Sequence, residues 1–343
     1  MSRFLGRQHL HMKPLRTVGR LQEIGVAELS LFLRIVIPLT KVRGTEGEYL
    51  QMTWTTTDLI ALTRVGRLTA AERIAVVNAT DGFDDALHAL GAICLDEQEE
   101  AKRIADQAAA EGVTVLTYWD PDYPMRLRGI ASPPMILYVL GTLPSESMTT
   151  FGIVGTRACT TQYGKPVTDA LMKRWVDHGV AIVSGLANGI DTLAHEATLR
   201  HRGTTVAVIA SGIGRITPKH AQRLAQQIAA NNGAVVSEYP FHVAALPPYF
   251  PARNRIISGM SDAVVVIESN ATGGALITAD FALQQGRPLY AVPGNITSSR
   301  SRGTNELLAS GRAHVLVDAD TILTDLGLEA DVATRRSVPP ELA

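Results

Sequence analysis

Phe151-Gly-Ile-Val-Gly-Thr-Arg157, Val183-Ser-Gly-Leu-Ala-Asn-Gly-Ile-Asp191, Phe250-Pro-Ala-Arg-Asn-Arg-Ile-Ile257, Thr272-Gly-Gly-Ala-Leu-Ile-Thr278 and Ala291-Val-Pro-Gly294 punctuate one continuous region. Short apolar runs end in small or polar residues, and helix-like segments follow. That is the rhythm of a parallel α/β sheet whose strand ends face a ligand. Strands are expected at Phe151–Val154, Ala181–Ser184, Thr205–Ala210, Ala234–Ser237, Ala263–Glu268, Pro288–Val292 and His314–Val317. They are nearly all apolar, as strands covered on both faces must be. Between them lie expected helices at Tyr163–His178, Asp191–Arg200, Ala221–Asn231, Thr278–Gln285 and Asn305–Ser310. Gly179, Gly203, Gly233, Gly286 and Gly311 follow these helices at the usual C′ position. The fold class read from this is α/β: an extended Rossmann-like, doubly wound, mostly parallel sheet, with a small N-terminal helical domain.

Outward from the sheet the signals weaken. Residues 51–114 read as a helical domain, with Thr57-Asp58 capping a first helix and Glu97–Ala110 a solvated one. Its helix–Gly–helix spacing can grip a nucleic-acid backbone or can simply pack; the acidic surroundings favour packing. Gly112–Tyr118 and Met135–Leu140 are β-like, and Ser145–Thr150 reads as the linker into the main domain, which spans 115–325. Residues 1–50 are an unassigned basic extension, and 326–343 a loose tail.

Composition sets limits. In 343 residues the formal net charge is −1, so overall charge implies no polyanion partner. Its distribution differs: residues 151–294 carry 12 Lys/Arg against 8 Asp/Glu, and residues 81–122 carry 11 acidic against 2 basic. The two cysteines, Cys94 and Cys159, are 65 residues apart, outside any metal-ligand or disulfide pattern. No apolar run is long enough to span a bilayer. The expected setting is cytoplasmic, without a membrane, metal or cofactor.

The candidate site lies at the strand ends. Gly155, Thr156 and Arg157 follow a buried strand, where a guanidinium can grip phosphate in a fork; the alternative is a rim arginine paired with a carboxylate. Ser184, Gly185, Leu186, Ala187 and Gly189 form a glycine-rich turn whose amides can approach a phosphate at a helix N-terminus. Asp191 is then a helix N-cap, and His195 one turn on makes a structural contact with it. Phe250, Arg253, Asn254 and Arg255 combine an aromatic with two cations, suited to base stacking and phosphate contact. Gly273, Gly274 and Thr278 add a second glycine turn, and Arg215 and Lys219 lie beyond another strand end, with Arg223 nearby. Dinucleotide, P-loop and serine-hydrolase signatures all fail on inspection. No catalytic residue is expected, and the chain reads as a binder and not an enzyme.

These residues resemble the DNA-processing protein A family (DprA, also called Smf). The resemblance covers roughly residues 115–320. It rests on Gly155-Thr-Arg157, Ser184-Gly-Leu-Ala-x-Gly-Ile-Asp191 with Ala194-His195, Ser237-Glu-Tyr-Pro240, Phe250-Pro-x-Arg-Asn-Arg-Ile-Ile257, Gly274-x-Leu-Ile-Thr278 and Val292-Pro-Gly294. It implies single-stranded DNA binding by the Rossmann-like domain, a homodimer, and delivery of a RecA-type recombinase to the strand, as in natural transformation. Ala61-Leu-Thr-Arg-Val-Gly66 looks like a worn version of the family's helical (SAM/HhH-like) domain. Thr217-Pro218 stands where the family often has Tyr-Pro, and the winged-helix domain of many members has no counterpart before Ala343. Two other classes remain: a nucleotide hydrolase of the lysine-decarboxylase-like type, for which Asp280 is not at the required Glu position, and a nucleotide-sensing module.

Overall fold

A computed structural model describes residues 54–64, 68–80, 82–84, 86 and 95–328. The expected extension over 1–50, Gly66, Cys94 and residues 329–343 lie outside them.

Among the described residues nine strands form one sheet: β1 (Val113–Thr117), β2 (Ile136–Gly141), β3 (Thr150–Val154), β4 (Ala181–Ser184), β5 (Thr205–Ile209), β6 (Ala234–Ser237), β7 (Ala263–Val266), β8 (Leu289–Ala291) and β9 (His314–Val315). Their order is β1-β2-β6-β5-β4-β3-β7-β8-β9. From β6 to β9 every pairing is parallel, whereas β1 and β2 add an antiparallel edge. All seven strands expected in the main region are present. The expected linker at Ser145–Thr150 is instead a crossover within this sheet, because β2 pairs with β6 through Tyr138↔Ser237 to Gly141↔Ala234.

Helices cover both faces. On one lie α5 (Gly164–Asp177), α6 (Ile190–Arg200), α7 (Gln222–Ala230) and α11 (Ala319–Asp325). On the other lie α4 (Met125–Arg128), α8 (Tyr249–Gly259), α9 (Ala275–Gln284) and α10 (Arg302–Ala309). Alternation along the strands divides the core: Phe151, Ile153, Ile182 and Val265 pack with Trp175 and Ile190, whereas Val154, Val183, Val206 and Val264 pack with Ile256 and Ala279. The all-apolar strands follow from this double coverage.

The N-terminal helices α1 (Thr56–Arg64), α2 (Ala70–Ala79) and α3 (Leu95–Ala110) share one core with β1, β2 and α7. Thr55 and Asp58 cap α1 reciprocally, two residues before the expected Thr57, and Thr69 with Glu72 forms a capping box on α2. The helix expected to be solvated, α3, buries Ala101, Ile104 and Ala108 along one stripe.

Several helix ends are sharp. After α5, Val180 N–H donates to Trp175 and Gly179, at φ +74°, to Val176, the paired bonds of a Schellman motif. After α6 and α7 the left-handed residue is Arg202 (φ +61°) and Asn232 (φ +54°), so Gly203 and Gly233 sit one position beyond the expected C′. Gly203 is confined by Val176 and Thr198, and Gly233 by the Thr205 carbonyl, which explains glycine there without any torsional demand.

Candidate nucleic-acid interface

Strand β3 is central. The chain winds from it through β4 and β5 to β6 on one side and continues through β7, β8 and β9 on the other. Connections diverge between the carboxyl ends of β3 and β7, the switch point where open α/β sheets bind ligands. A cavity of about 610 Å³ opens there, lined by Gly155, Thr156, Arg157, Ala187, Phe250, Arg253, Asn254, Gly273, Gly274 and Thr278 among others. Ten residues expected from sequence thus meet in one place.

Arg157 is exposed at the mouth, its guanidinium 5.6 Å from the centre of the Phe250 ring. Among the described residues it has no carboxylate partner. The rim-pair alternative therefore finds no support, and the cation is free to meet an anion over an aromatic face. Thr156 N–H donates to the Glu268 carbonyl at 2.6 Å, and Ile190 N–H donates to the Thr156 carbonyl at 3.2 Å, tying this loop to β7 and α6. Gly189 is required at that crossing: its φ is +83°, and a Cβ would stand 2.2 Å from the Thr156 carbonyl oxygen.

The next loop departs from expectation. The amides of Gly185 and Ala187 both donate to Asp191 Oδ2, at 3.1 and 3.4 Å. The anion they satisfy is internal, so these two amides are not offered to a phosphate. Asp191 lies within the first turn of α6, whose N-cap is Gly189, and so is not the cap itself. Burial pushes its carboxyl up to about 6, against the opposing influence of Arg253 and the two amides. Ser184 is fully buried and donates to the Ile153 carbonyl at 2.6 Å, and Leu186 is buried at φ +56°; both are structural and off the cavity wall.

His195 contacts Thr205, not Asp191. Its Nδ1 is 2.7 Å from Thr205 Oγ1, whose own proton goes to the Ile182 carbonyl at 2.9 Å. Nδ1 therefore carries the hydrogen, and Nε2 is a buried acceptor without a partner. Burial, with Arg253 nearby, lowers its pKa to about 3 and keeps the ring neutral.

The Phe250–Ile257 stretch forms helix α8, which the sequence reading lacked. Pro251 falls in its first turn, where a missing N–H costs nothing. Helical spacing separates neighbouring residues by about 100°. Phe250, Arg253, Asn254 and Ile257 consequently face the cavity, while Arg255 points away. Arg255 pairs with Glu238 at 2.6 Å and donates to the Ser132 carbonyl at 2.9 Å. Arg253 is buried at the cavity floor, where it donates to the carbonyls of Gly185 (2.5 Å) and Val208. Burial lowers its pKa to about 10, yet it stays charged. The expected pair of phosphate-gripping arginines thus resolves into one floor clamp and one distant ion pair.

Arg215 and Lys219 are exposed beyond β5, outside the cavity. A bond of 2.8 Å from His220 to Asn188 joins their segment to the loop after β4. The cations therefore continue the same sheet edge. Asp191, Ser269 and Asn270 line the cavity but were not among the expected ligands. Ser269 and Asn270 were in principle legible, because they follow β7 as Gly155 follows β3. Among the described residues no group of acidic, His or Cys side chains could hold a metal ion.

Residues 114–327 match the family model described as DNA recombination-mediator protein A. The chain is 38% identical over 218 residues to DNA processing protein DprA of Bacillus subtilis, covering 63% of this chain and 72% of that protein. It is 41% identical over 216 residues to Protein Smf of Synechocystis, covering 62% and 54%; the match thus spans about half of that relative. The X-ray structure of DNA processing protein A from Streptococcus pneumoniae superposes with a TM-score of 0.63 at 29% identity, covering 79% of this chain and 93% of that one. DNA processing protein A from Helicobacter pylori, whose structure concerns its single-stranded DNA binding mode, gives 0.56 at 28%, covering 62% and 95%.

Proposed function

Because this chain belongs to the DNA recombination-mediator protein A family, we propose that it binds single-stranded DNA at the mouth of the β3/β7 cavity and passes the strand to a RecA-type recombinase. The observation that carries the reading is Arg157, unpaired among the described residues and held over the Phe250 ring at the switch point. Cation, aromatic face and concavity are what an unpaired strand needs: phosphate contact, stacking, and room for a base that duplex DNA keeps inside its stack. Arg215 and Lys219 extend the contact along the sheet edge.

The protein acts by binding, without a cofactor or a catalytic step, as a homodimer in the cytoplasm. A dimer is supported by edge strand β9, where Val315 lies exposed with Val317 just beyond the strand. No helix among the described residues is long and apolar enough to cross a membrane. Protection of single strands and hand-over in transformation or recombination follow from the resemblance.

The test is a titration of labelled single strands and of blunt duplex of equal length, over a salt series. Tighter binding to single strands, weakening with salt as counterions are released, is expected. Equal affinity for duplex would refute the reading. Release of free base from nucleoside monophosphates under the same conditions would favour the hydrolase class instead.

A further inference from the structure

We propose that the bound strand leaves the β3/β7 mouth across the end of β8, where Lys165 and Arg300 hold further phosphates and the ring of Tyr163 takes a base. This rests on the single-strand reading above and deepens it by giving the strand a path outside the cavity.

Strand β8 pairs with β7, so its carboxyl end stands one strand spacing, about 4.8 Å, beyond the mouth. Two loops meet there, the one that follows β3 and the one that follows β8. Tyr163 Oη donates to the Pro293 carbonyl and so joins them. Gly294 exchanges two hydrogen bonds of 3.0 Å with Asn305. Asn295 closes a turn by accepting from the amide and hydroxyl of Thr297, at 2.9 and 2.8 Å. Both loops are thus ordered before a ligand arrives, which lowers the cost of binding.

Two cations come together on these loops. Lys165, in the first turn of α5, is exposed, and Arg300 is half-buried in the turn before α10. Both act electrostatically on Cys159, which places them at one spot although they are distant in sequence. Among the described residues neither forms an ion pair. The nearby carboxylate, Glu268, is 1% exposed and already takes the amide and hydroxyl of Thr160, at 2.8 and 2.7 Å. Neither Lys165 nor Arg300 lines the β3/β7 cavity.

A bare pair of surface cations would be only a solvated face. Here an aromatic accompanies them. Tyr163 is 37% exposed with its hydroxyl spent on Pro293, so what it offers outward is its ring. Cation and aromatic are also what Arg157 and Phe250 present at the mouth. Arg157 and Tyr163 belong to one loop, whose length limits their separation to about 20 Å. A strand held at Arg157 is therefore within a few nucleotides of the second station. Stacking of this kind accepts any base, and phosphates recur at every nucleotide, so the path carries no sequence preference.

The experiment uses the full chain and oligothymidylates of about 4 and about 16 nucleotides, the span of single-strand site sizes. Lys165→Ala combined with Arg300→Ala removes two phosphate contacts. For the longer strand, log affinity against log salt should become shallower by about 1.4, and affinity should fall about tenfold or more. The short strand, measured by competition, should bind the wild type and the variant alike. Tyr163→Ala should weaken the longer strand about fivefold or more, the low end for a base on an aromatic. Tyr163→Phe, which keeps the ring and loses only the bond to Pro293, should not; an equal loss in both would remove the ring from the path. Wild-type slope and affinity for the longer strand in the folded double variant would overturn the proposal. An equal loss for both lengths would place these cations at the mouth and overturn it as well. Failure of the wild type to bind either strand would instead overturn the single-strand reading. Should the double variant not fold, Arg300→Gln alone decides: a slope shallower by about 0.7 supports the path, and an unchanged slope overturns it.

Discussion

Arg157 and Arg253 are two arginines at one cavity with opposite duties, and substitution should separate them. Arg157 is exposed and has no carboxylate partner among the described residues, so Arg157→Ala should leave the melting temperature unchanged. Single-strand affinity should fall about ten- to a hundredfold, the value of a charge-assisted bond. Arg157→Lys should recover part of it, since the charge remains without the fork. A normally folded Arg157→Ala with wild-type affinity would remove Arg157 from the site. Arg253→Ala should instead unfold the floor: it frees the Gly185 and Val208 carbonyls and strips Asp191 of its neighbouring cation, a loss of about 3 kcal/mol or more in stability. His195 gives a third outcome. Its folded pKa lies below its unfolded one, so the unfolded chain binds the extra proton as pH drops, and stability is lost progressively from about 6.5 toward about 3. Asp191 works against this more weakly: its raised pKa favours the folded state as pH falls from about 6 toward 3.8. His195→Asn, which keeps a donor for Thr205, should flatten the acid side of a denaturation series. An unchanged acid limb would show that His195 does not set it.

At the scale of elements, the site is made by turns that cross and by one helix that begins with prolines. The loops after β3 and β4 touch where Gly189 meets the Thr156 carbonyl. Gly189→Ala should cost about 1–3 kcal/mol from backbone strain, with the contact added, and should weaken single-strand binding as the two loops part. Full stability and affinity in that variant would show that the crossing does not organise the mouth. Helix α8 was hidden in the sequence behind Pro247, Pro248 and Pro251, which punctuate like a loop. Once Pro251 occupies the first turn, the helix is allowed, and its 3.6-residue period decides which of Arg253, Asn254 and Arg255 faces the cavity.

At the scale of the whole molecule, the neutral total conceals a divided surface. The acidic N-terminal helices pack over β1, β2 and α7, away from the β3/β7 mouth where Arg157 stands exposed. Binding should therefore depend on local phosphate contacts and fall with salt, despite a formal charge of −1. Among the described residues no cluster of three or more acidic, His or Cys side chains could hold a metal ion, and single-strand affinity in a chelator should equal that in magnesium. Loss in the chelator, restored by magnesium or zinc, would count against a metal-free mode.

The sequence by itself determined the sheet. Unbroken Val, Ile and Ala runs have only one stable fate, strands covered on both faces, and small residues at their ends mark where a ligand can approach. Gly155, Thr156, Arg157, Gly273 and Gly274 were legible for that reason. Only the tertiary structure decided the duties of the polar groups. Whether an amide, a carboxylate or a guanidinium is free depends on which distant group has already satisfied it. Asp191 takes the amides of Gly185 and Ala187, Glu238 takes Arg255, and the carbonyls of Gly185 and Val208 take Arg253. The arginine partners stand 17 to 68 residues away along the chain, and local pattern carries no information about such pairings.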